Sequence, residues 1–170
     1  MAEAINFIHP NHPWDQEGYE GQKVDESLSA VKYYPLSYAG SPQWFGRCCV
    51  AGNICWVSGC SGRLEKTGDV SKDDVRQQVR DAWNKIKKAL EIAGTSLENI
   101  MHVWILVKDV EKDGIAIEEA YMEWLKENNP YLYGHPPCCT GIQVVSLWYP
   151  TMLVELQAIA YVPPRRKKKK

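Results

Sequence analysis

Polar and apolar positions follow two different periods along this chain. Runs rich in β-branched and aromatic residues predict strands at about 30–36, 101–107, 138–147 and 152–161, with a hairpin centred on Gly52-Asn53. Apolar residues three and four apart predict two amphipathic helices, one from an N-cap at Ser71 to Gly94 and one over about 115–128. This order of elements predicts one α+β domain with both helices on one face of a sheet.

The segment from Phe45 to Cys60 predicts a hairpin whose two faces differ in chemistry. A tight turn at Gly52-Asn53 pairs Val50 with Cys55, and Cys48 with Val57, on the core side. A core does not need a cation, a hydroxyl or two further thiols, so the other face is predicted to line a ligand site. By alternation, that face carries Phe45, Arg47, Cys49, Trp56, Ser58 and Cys60.

The two closing strands also alternate. Apolar residues predicted to face the core are Ile142, Val144, Val154, Leu156 and Ala158. The opposite face is predicted to carry Cys139, Gln143, Glu155 and Gln157. Two helices can cover only one face of a sheet, and the other face includes Trp56 and Val145. The pattern therefore predicts a homo-oligomer with a site between subunits.

Composition narrows the possible partners. The chain has 170 residues, 45% hydrophobic and 24% charged, as expected for a globular domain. Its net charge is −1 although residues 165–170 are all basic, so the rest is acidic and nucleic acid is not expected as a partner. No segment approaches the ~20 apolar residues of a membrane span. Without a leader-like apolar segment, a cytoplasmic protein that does not bind membranes is expected.

Six cysteines lie at positions 48, 49, 55, 60, 138 and 139, without C-x-x-C spacing. In a cytoplasmic protein this arrangement favours reduced thiols over disulfides. A structural zinc site would need three or four convergent ligands, and the spacing does not suggest them. No metal site is therefore expected from the cysteines.

Several segments, taken in order, resemble the Rid family of reactive intermediate deaminases, also described as L-PSP endoribonuclease-like. The matching segments are Val50-Ala51-Gly52-Asn53, Val57-Ser58-Gly59, Gln78 to Ile86, Ala93 to Ile100, Val107 to Val110, Glu119-Ala120-Tyr121 and Val154 to Ala160. The resemblance divides the chain into an N-terminal extension (1–30), a Rid-like domain (31–162) and a basic tail (163–170).

The resemblance implies a chorismate-mutase-like fold, a mixed β-sheet with two helices packed on one face, assembled as a homotrimer with a pocket at each subunit interface. Similar proteins hydrolyse small-molecule imines and enamines, and they release ammonia and a 2-keto acid without a cofactor. In that chemistry an arginine binds the substrate carboxylate as a bidentate partner. A glutamate positions the attacking water.

The family's site residues are only partly retained here. Its serine falls on Ser58 and its acid on Glu155, both implied as catalytic. Among the implied substrate-binding positions, Phe45 replaces a tyrosine and Glu118 replaces an asparagine. The arginine position falls on Cys139, and a thiol cannot form the charge-assisted pair that an arginine forms.

Two side chains of the hairpin are candidates to complete the site. Arg47 is predicted on the same face as Ser58 and is a candidate replacement for the missing arginine; the alternative is an ion pair at the trimer interface. Cys60 is predicted to lie on that face as well, near Glu155. A thiol beside a carboxylate has a raised pKa and is a poor nucleophile unless a cation is near.

The residues and the resemblance suggest three alternative functions. The first is a Rid-like enzyme that deaminates or tautomerises an imine, enamine or related carbonyl metabolite. The second is a catalytically silent protein of the same fold that binds a metabolite or a partner and acts in regulation. The third is RNA binding or cleavage through the basic tail, which the acidic body disfavours because a short charge run is usually a solvated tail.

Overall fold

The computed structural model describes residues 30–71 and 74–164. Most of the predicted N-terminal extension and the six basic residues at the C-terminus lie outside these residues, so the predicted domain boundaries stay predictions. The strands are β1 (Val31–Tyr34), β2 (Ser37–Tyr38), β3 (Ser41–Pro42), β4 (Cys48–Ala51), β5 (Ile54–Val57), β6 (Cys60–Ser61), β7 (Ile100–Val107), β8 (Cys138–Gln143) and β9 (Val154–Tyr161). The helices are α1 (Val75–Ala93), α2 (Val110–Asn128) and α3 (Pro130–Gly134).

The main sheet has the strand order β1-β4-β5-β9-β7-β8, and β6 pairs with the first half of β9. Only β7 and β8 are parallel, which makes the sheet mixed; β2 and β3 form a separate small hairpin. The long helices α1 and α2 pack against each other, and α1 packs on β9. The predicted fold class, α+β with a mixed sheet and two main helices, is confirmed.

Close packing between the two helices and the sheet forms the core. Trp83 of α1 stacks on Trp124 of α2 with ring centroids 5.1 Å apart and planes 13° apart. The indole nitrogen of Trp124 donates to the Asn84 side chain at 3.1 Å, so this polar atom stays satisfied under the helix pair. On the sheet side, Leu156 and Ala158 of β9 are fully buried, as their alternation predicts.

The helix ends are partly as predicted. Gly94 ends α1 with φ 85°, a left-handed conformation that favours glycine. The N-cap of α1 is Asp74, whose carboxylate accepts the Gln77 amide at 3.1 Å, so the predicted cap at Ser71 is wrong. Helix α2 begins at Val110, five residues earlier than predicted. Its first turn is polar and is followed by Gly114, so the apolar spacing starts late and hides the true start.

A β-bulge separates β5 from β6. Trp56 pairs with Ile159, whereas Cys60 pairs with Leu156, so this strand has one more residue than β9 between the two pairs. One extra residue moves every later side chain to the other face. Cys60 therefore lies in the core beside Leu156, and its prediction on the polar face is wrong.

In the edge strand β8, each side chain lies on the side of the sheet opposite to the one predicted. Cys139 pairs with the fully buried Val103 and lies on the helix side, whereas Ile142 is 42% exposed on the face that no helix covers. The predicted shared face for Cys139 and Glu155 is wrong. All six residues of β8 are exposed, so burial does not select a face, and the parallel register with β7 decides it.

Candidate functional site

Glu155 lies near the beginning of β9 and carries the carboxylate best placed for chemistry. It is half-buried, opposite Ser61 of β6 and Leu106 of β7. Burial raises the pKa of its carboxyl group, and the cation of Lys85 lowers it in part. Within residues 30–71 and 74–164, no group donates a hydrogen bond to this carboxylate. A half-buried carboxylate with free lone pairs can accept a proton from water or a substrate.

Gly59 makes the close approach of Glu155 possible. A Cβ atom placed on Gly59 would lie 2.3 Å from Oε1 of Glu155 and 2.6 Å from its carboxyl carbon. A side chain at position 59 must therefore displace the carboxylate. The Ser58-Gly59 step, which the sequence only showed as part of a family motif, forms one wall of the site.

Lys85 reaches this end of the sheet from α1. Its Nζ is buried and donates to the Ser61 carbonyl at 2.7 Å, directly beside the Glu155 pairing position. Burial lowers the pKa of Lys85, and its electrostatic neighbours include Cys60. Burial raises the pKa of the Cys60 thiol to about 12, so this thiol stays protonated near neutral pH and is not a nucleophile.

Gln78 holds the start of β9 in place. This side chain is fully buried in α1, and its amide nitrogen donates to the carbonyls of Ser71 and Thr151 at 2.7 and 2.9 Å. Its amide oxygen accepts the Leu153 backbone N–H at 2.9 Å. Leu153 stands two residues before Glu155, so Gln78 fixes the backbone from which the candidate catalytic side chain extends.

Arg47 is half-buried and forms an ion pair with Glu65. Lys88 of α1 donates to the other carboxylate oxygen at 2.6 Å. Burial acts to raise the pKa of Glu65, but the hydrogen bonds from Arg47 and Lys88 lower it to about 2. Arg47 is therefore already neutralised within its own chain, although the sequence nominated it as an anion holder.

Two other hairpin residues are partly engaged elsewhere. The Ser58 hydroxyl donates to the Gly46 carbonyl at 2.6 Å, which leaves its lone pairs, and not its proton, for a ligand. Phe45 is half-buried and packs edge-to-face on Trp44 with centroids 5.1 Å apart. Both residues lie next to the hairpin end that carries Arg47.

Cys139 and Glu118 lie away from Glu155. Cys139 faces the helix layer, where burial and this thiol both raise the pKa of the Tyr121 hydroxyl. Glu118 is exposed on α2. On β7, Cys139 pairs with Val103 and Glu155 pairs with Leu106. These two partners are three residues apart, a separation of about 10 Å along the strand. One chain therefore does not bring Cys139 and Glu155 into a single pocket.

Arg63 was not singled out by the sequence. It follows β6, its Nε donates to the Gly68 carbonyl at 2.9 Å, and its guanidinium carbon lies 4.1 Å and 4.8 Å from the ring centres of Tyr38 and Tyr149. Mainly because it is buried, the Tyr38 hydroxyl has its pKa raised to about 12. An arginine that follows Gly62 in a loop gave only a weak signal, since loop arginines are common on surfaces.

No three His, Cys, Asp or Glu side chains in the described parts of the chain come together as a possible metal site. None of the described helices is both long and apolar enough to cross a bilayer. The face of the sheet without helices, here called the open face, exposes large apolar side chains, including Trp56 at 43% and Ile142 at 42%. Apolar exposure of this kind is typical of a protein interface.

The protein has an α+β fold in which two helices cover one face of a mixed sheet. The sheet contains a bulged hairpin, and a carboxylate lies beside the bulge. The sequence model of the family described as Endoribonuclease L-PSP matches residues 42–162, and the chain belongs to this family, also called the Rid family. A RutC family protein from Pyrococcus horikoshii is 32% identical over 111 residues, which are 65% of this chain and 81% of that protein.

Solved structures share the fold. A Rid family protein of unknown function from Yersinia pestis, YyfA, superposes with a TM-score of 0.66 and 22% identity, over 78% of this chain and 99% of that one. The TdcF protein of E. coli, solved with bound serine, superposes with a TM-score of 0.65 and 23% identity, over 76% and 98% of the two chains. These two structures show the fold, and the family model over residues 42–162 confirms the predicted family membership.

Proposed function

We propose that this protein is a Rid-type enzyme that hydrolyses or tautomerises a small imine, enamine or related carbonyl compound. The observation that carries the proposal is the Glu155 carboxylate, which is half-buried, free of hydrogen-bond donors within the described residues, and held against Gly59. Such a carboxylate needs only a water molecule and a substrate to act as a general base. The reaction requires no metal or organic cofactor.

The substrate is a 2-imino acid protonated on its imine nitrogen. The Glu155 carboxylate takes one proton from water as the water oxygen bonds to the imine carbon and the C=N electron pair moves to nitrogen, which forms a carbinolamine. Glu155 then gives that proton to the amino nitrogen as the C–N bond breaks, and the hydroxyl proton passes to the freed Glu155 carboxylate or to water as the C=O bond forms. Ammonia leaves, and the carbonyl of a 2-keto acid remains. Burial raises the pKa of Glu155, so its carboxyl group keeps the proton between the two steps instead of losing it to solvent.

The assembly that would complete the pocket is part of the proposal. Cys139 and Glu155 face opposite sides of the sheet in one chain. A pocket that combines both strand edges therefore needs a neighbouring copy, and the exposed Trp56 and Ile142 of the open face supply an apolar contact surface. A homotrimer with three inter-subunit pockets satisfies both requirements.

The test measures ammonia and keto-acid release from 2-imino acids generated in situ by an amino-acid-consuming enzyme. Wild type is expected to accelerate release, and Glu155→Gln is expected to lose the acceleration while keeping the assembly. Glu155→Gln should also unfold no more easily at pH 7, because a buried carboxylate with a raised pKa costs stability once it is ionised. Full turnover in Glu155→Gln would refute the assigned role.

A second candidate is a catalytically silent protein that binds a metabolite and acts in regulation. It is favoured by the neutralised Arg47 and by the thiol at Cys139, which leave the usual carboxylate holder missing. It predicts thermal stabilisation by a metabolite without any product. A gain of imine hydrolysis in Cys139→Arg, from an inactive wild type, would support this candidate and show that the rest of the site is intact.

A further inference from the structure

We propose that Arg63 is the cation that binds the carboxylate of the substrate in this protein. The identity of the ligand as a small carboxylate rests on the proposed function; the assignment of Arg63 rests on the contacts around it. Among the described residues, the cations near the β6 end of the site include Arg47, Lys85 and Arg63, and these three differ in what each already binds.

Arg47 and Lys85 are already engaged. The guanidinium of Arg47 forms an ion pair with Glu65, and its side chain is only 10% exposed. The Lys85 ammonium is buried and donates to the Ser61 carbonyl. A carboxylate that binds either group competes with a partner already in place, the half-buried Glu65 for Arg47 and the Ser61 carbonyl for Lys85, and weakening such an enclosed contact is costly.

Arg63 differs from the other described arginines in its charge partners. Of the four arginines at described positions, Arg47, Arg76 and Arg80 each have a carboxylate within 4.0 Å, and Arg63 has none there. Within residues 30–71 and 74–164, the side-chain donor of Arg63 that is in use is Nε, which the Gly68 carbonyl accepts. The two terminal nitrogens are therefore available as the fork that binds a carboxylate with two parallel hydrogen bonds.

The guanidinium of Arg63 is also held in place. It lies over the ring of Tyr38, which is 5% exposed, and close to the ring of Tyr149. Contacts of a cation with aromatic faces restrict the side chain without using its hydrogen-bond donors. A pre-oriented arginine loses less conformational entropy when it binds a ligand.

The position of Arg63 fits a ligand that also contacts Glu155. Ser61 pairs directly with Glu155, and Arg63 follows two residues later, about 7 Å along the chain at strand spacing. Its other contact, Tyr149, belongs to the loop that leads into β9. Lys85 is an electrostatic neighbour of both Arg63 and Glu155, which places all three at one end of the sheet.

The test uses pyruvate, the smallest 2-keto acid product, with the full chain in its natural assembly. Binding is measured by NMR titration at fixed salt for wild type, Arg63→Gln, Arg63→Lys and Arg47→Gln. Arg76→Gln is the matched control, because Arg76 pairs with Glu119 on the outer surface of the helices. Pyruvamide, which has no carboxylate, tests whether charge is recognised.

For Arg63→Gln the dissociation constant for pyruvate is expected to rise at least tenfold. Arg63→Lys should recover only part of that loss, since lysine lacks the planar fork. Arg76→Gln should bind like wild type, and pyruvamide should bind all variants weakly. Binding that is lost in Arg47→Gln but kept in Arg63→Gln overturns the assignment, as does the absence of pyruvate binding to wild type.

Failure of the proposed function would look different. If binding depends on Arg63 while Glu155→Gln turns over imino acids like wild type, the carboxylate holder is right and the catalytic assignment is wrong. If Arg63→Gln weakens binding in a protein without turnover, Arg63 serves the binding function instead. Each variant is first checked for an unfolding midpoint near that of wild type.

Discussion

Replacement of the buried Gln78 by methionine is the most informative perturbation of the fold around the site. Methionine keeps the length and much of the apolar volume of glutamine, but it offers no amide. The change therefore removes both hydrogen bonds donated by Gln78, to Ser71 and Thr151, and the one it accepts from Leu153, without opening a large cavity.

The expected loss of stability follows from these three bonds. Leaving a buried polar group without a partner costs about 1–3 kcal/mol each. Ser71 and Leu153 are half-buried and Thr151 is exposed, so water can replace part of the lost hydrogen bonding. We therefore expect a total near the low end, about 3 kcal/mol. In a domain of this size, that corresponds to a fall of about 6–12 °C in the melting temperature.

Urea unfolding measures this loss at a fixed protein concentration, because the proposed homotrimer would make stability depend on concentration. The matched control is Gln77→Met, one position earlier on the same helix, where the exposed side chain donates to the Asp81 carboxylate at 2.9 Å. We expect the control to change the free energy of unfolding by less than about 0.5 kcal/mol. A Gln78→Met loss no larger than that of the control would refute the role given to this network.

Three further perturbations test neighbouring parts of the structure. Gly59→Ala places a Cβ 2.3 Å from the Glu155 carboxylate oxygen, so turnover should fall about 100-fold with little change in melting temperature; normal turnover would contradict the site. Because the folded pKa of Glu65 is lowered to about 2, its ionised form stabilises the fold above an unfolded pKa of about 4.3, and that stabilisation is lost as pH falls towards 2. Glu65→Gln should lower stability at pH 7 and flatten its fall in acid, measured by urea unfolding from pH 2 to 7; an unchanged profile would mean that the ion pair with Arg47 contributes nothing. Trp56→Glu should dissociate the proposed homotrimer in sedimentation experiments, since a charge would enter the open face, and an unchanged mass would argue against an interface on that face.

Several structural features that depend on residues close together in the sequence were predicted correctly. The three- and four-residue apolar spacing located α1, and Gly94 ended it as predicted. The Gly52-Asn53 turn set the register of β4 and β5, including the predicted pairing of Cys48 with Val57. Alternation placed Leu156 in the core and Glu155 on the other face of β9. In each case one element carries the whole signal, because burial of a single face imposes its period.

The composition of the candidate site depended on pairings between distant segments. The bulge after β5 moved Cys60 into the core, and the parallel register with β7 turned Cys139 to the helix side. Arg47 forms an ion pair with Glu65. Among the described arginines, Arg63 is the one that has no carboxylate within 4.0 Å in the described parts of the chain. A shift of one residue in strand pairing exchanges the two faces, and an ion pair depends on distance in space. The sequence by itself therefore determined the elements, the family and the catalytic carboxylate to test, whereas only the tertiary structure decided which side chains can act beside it.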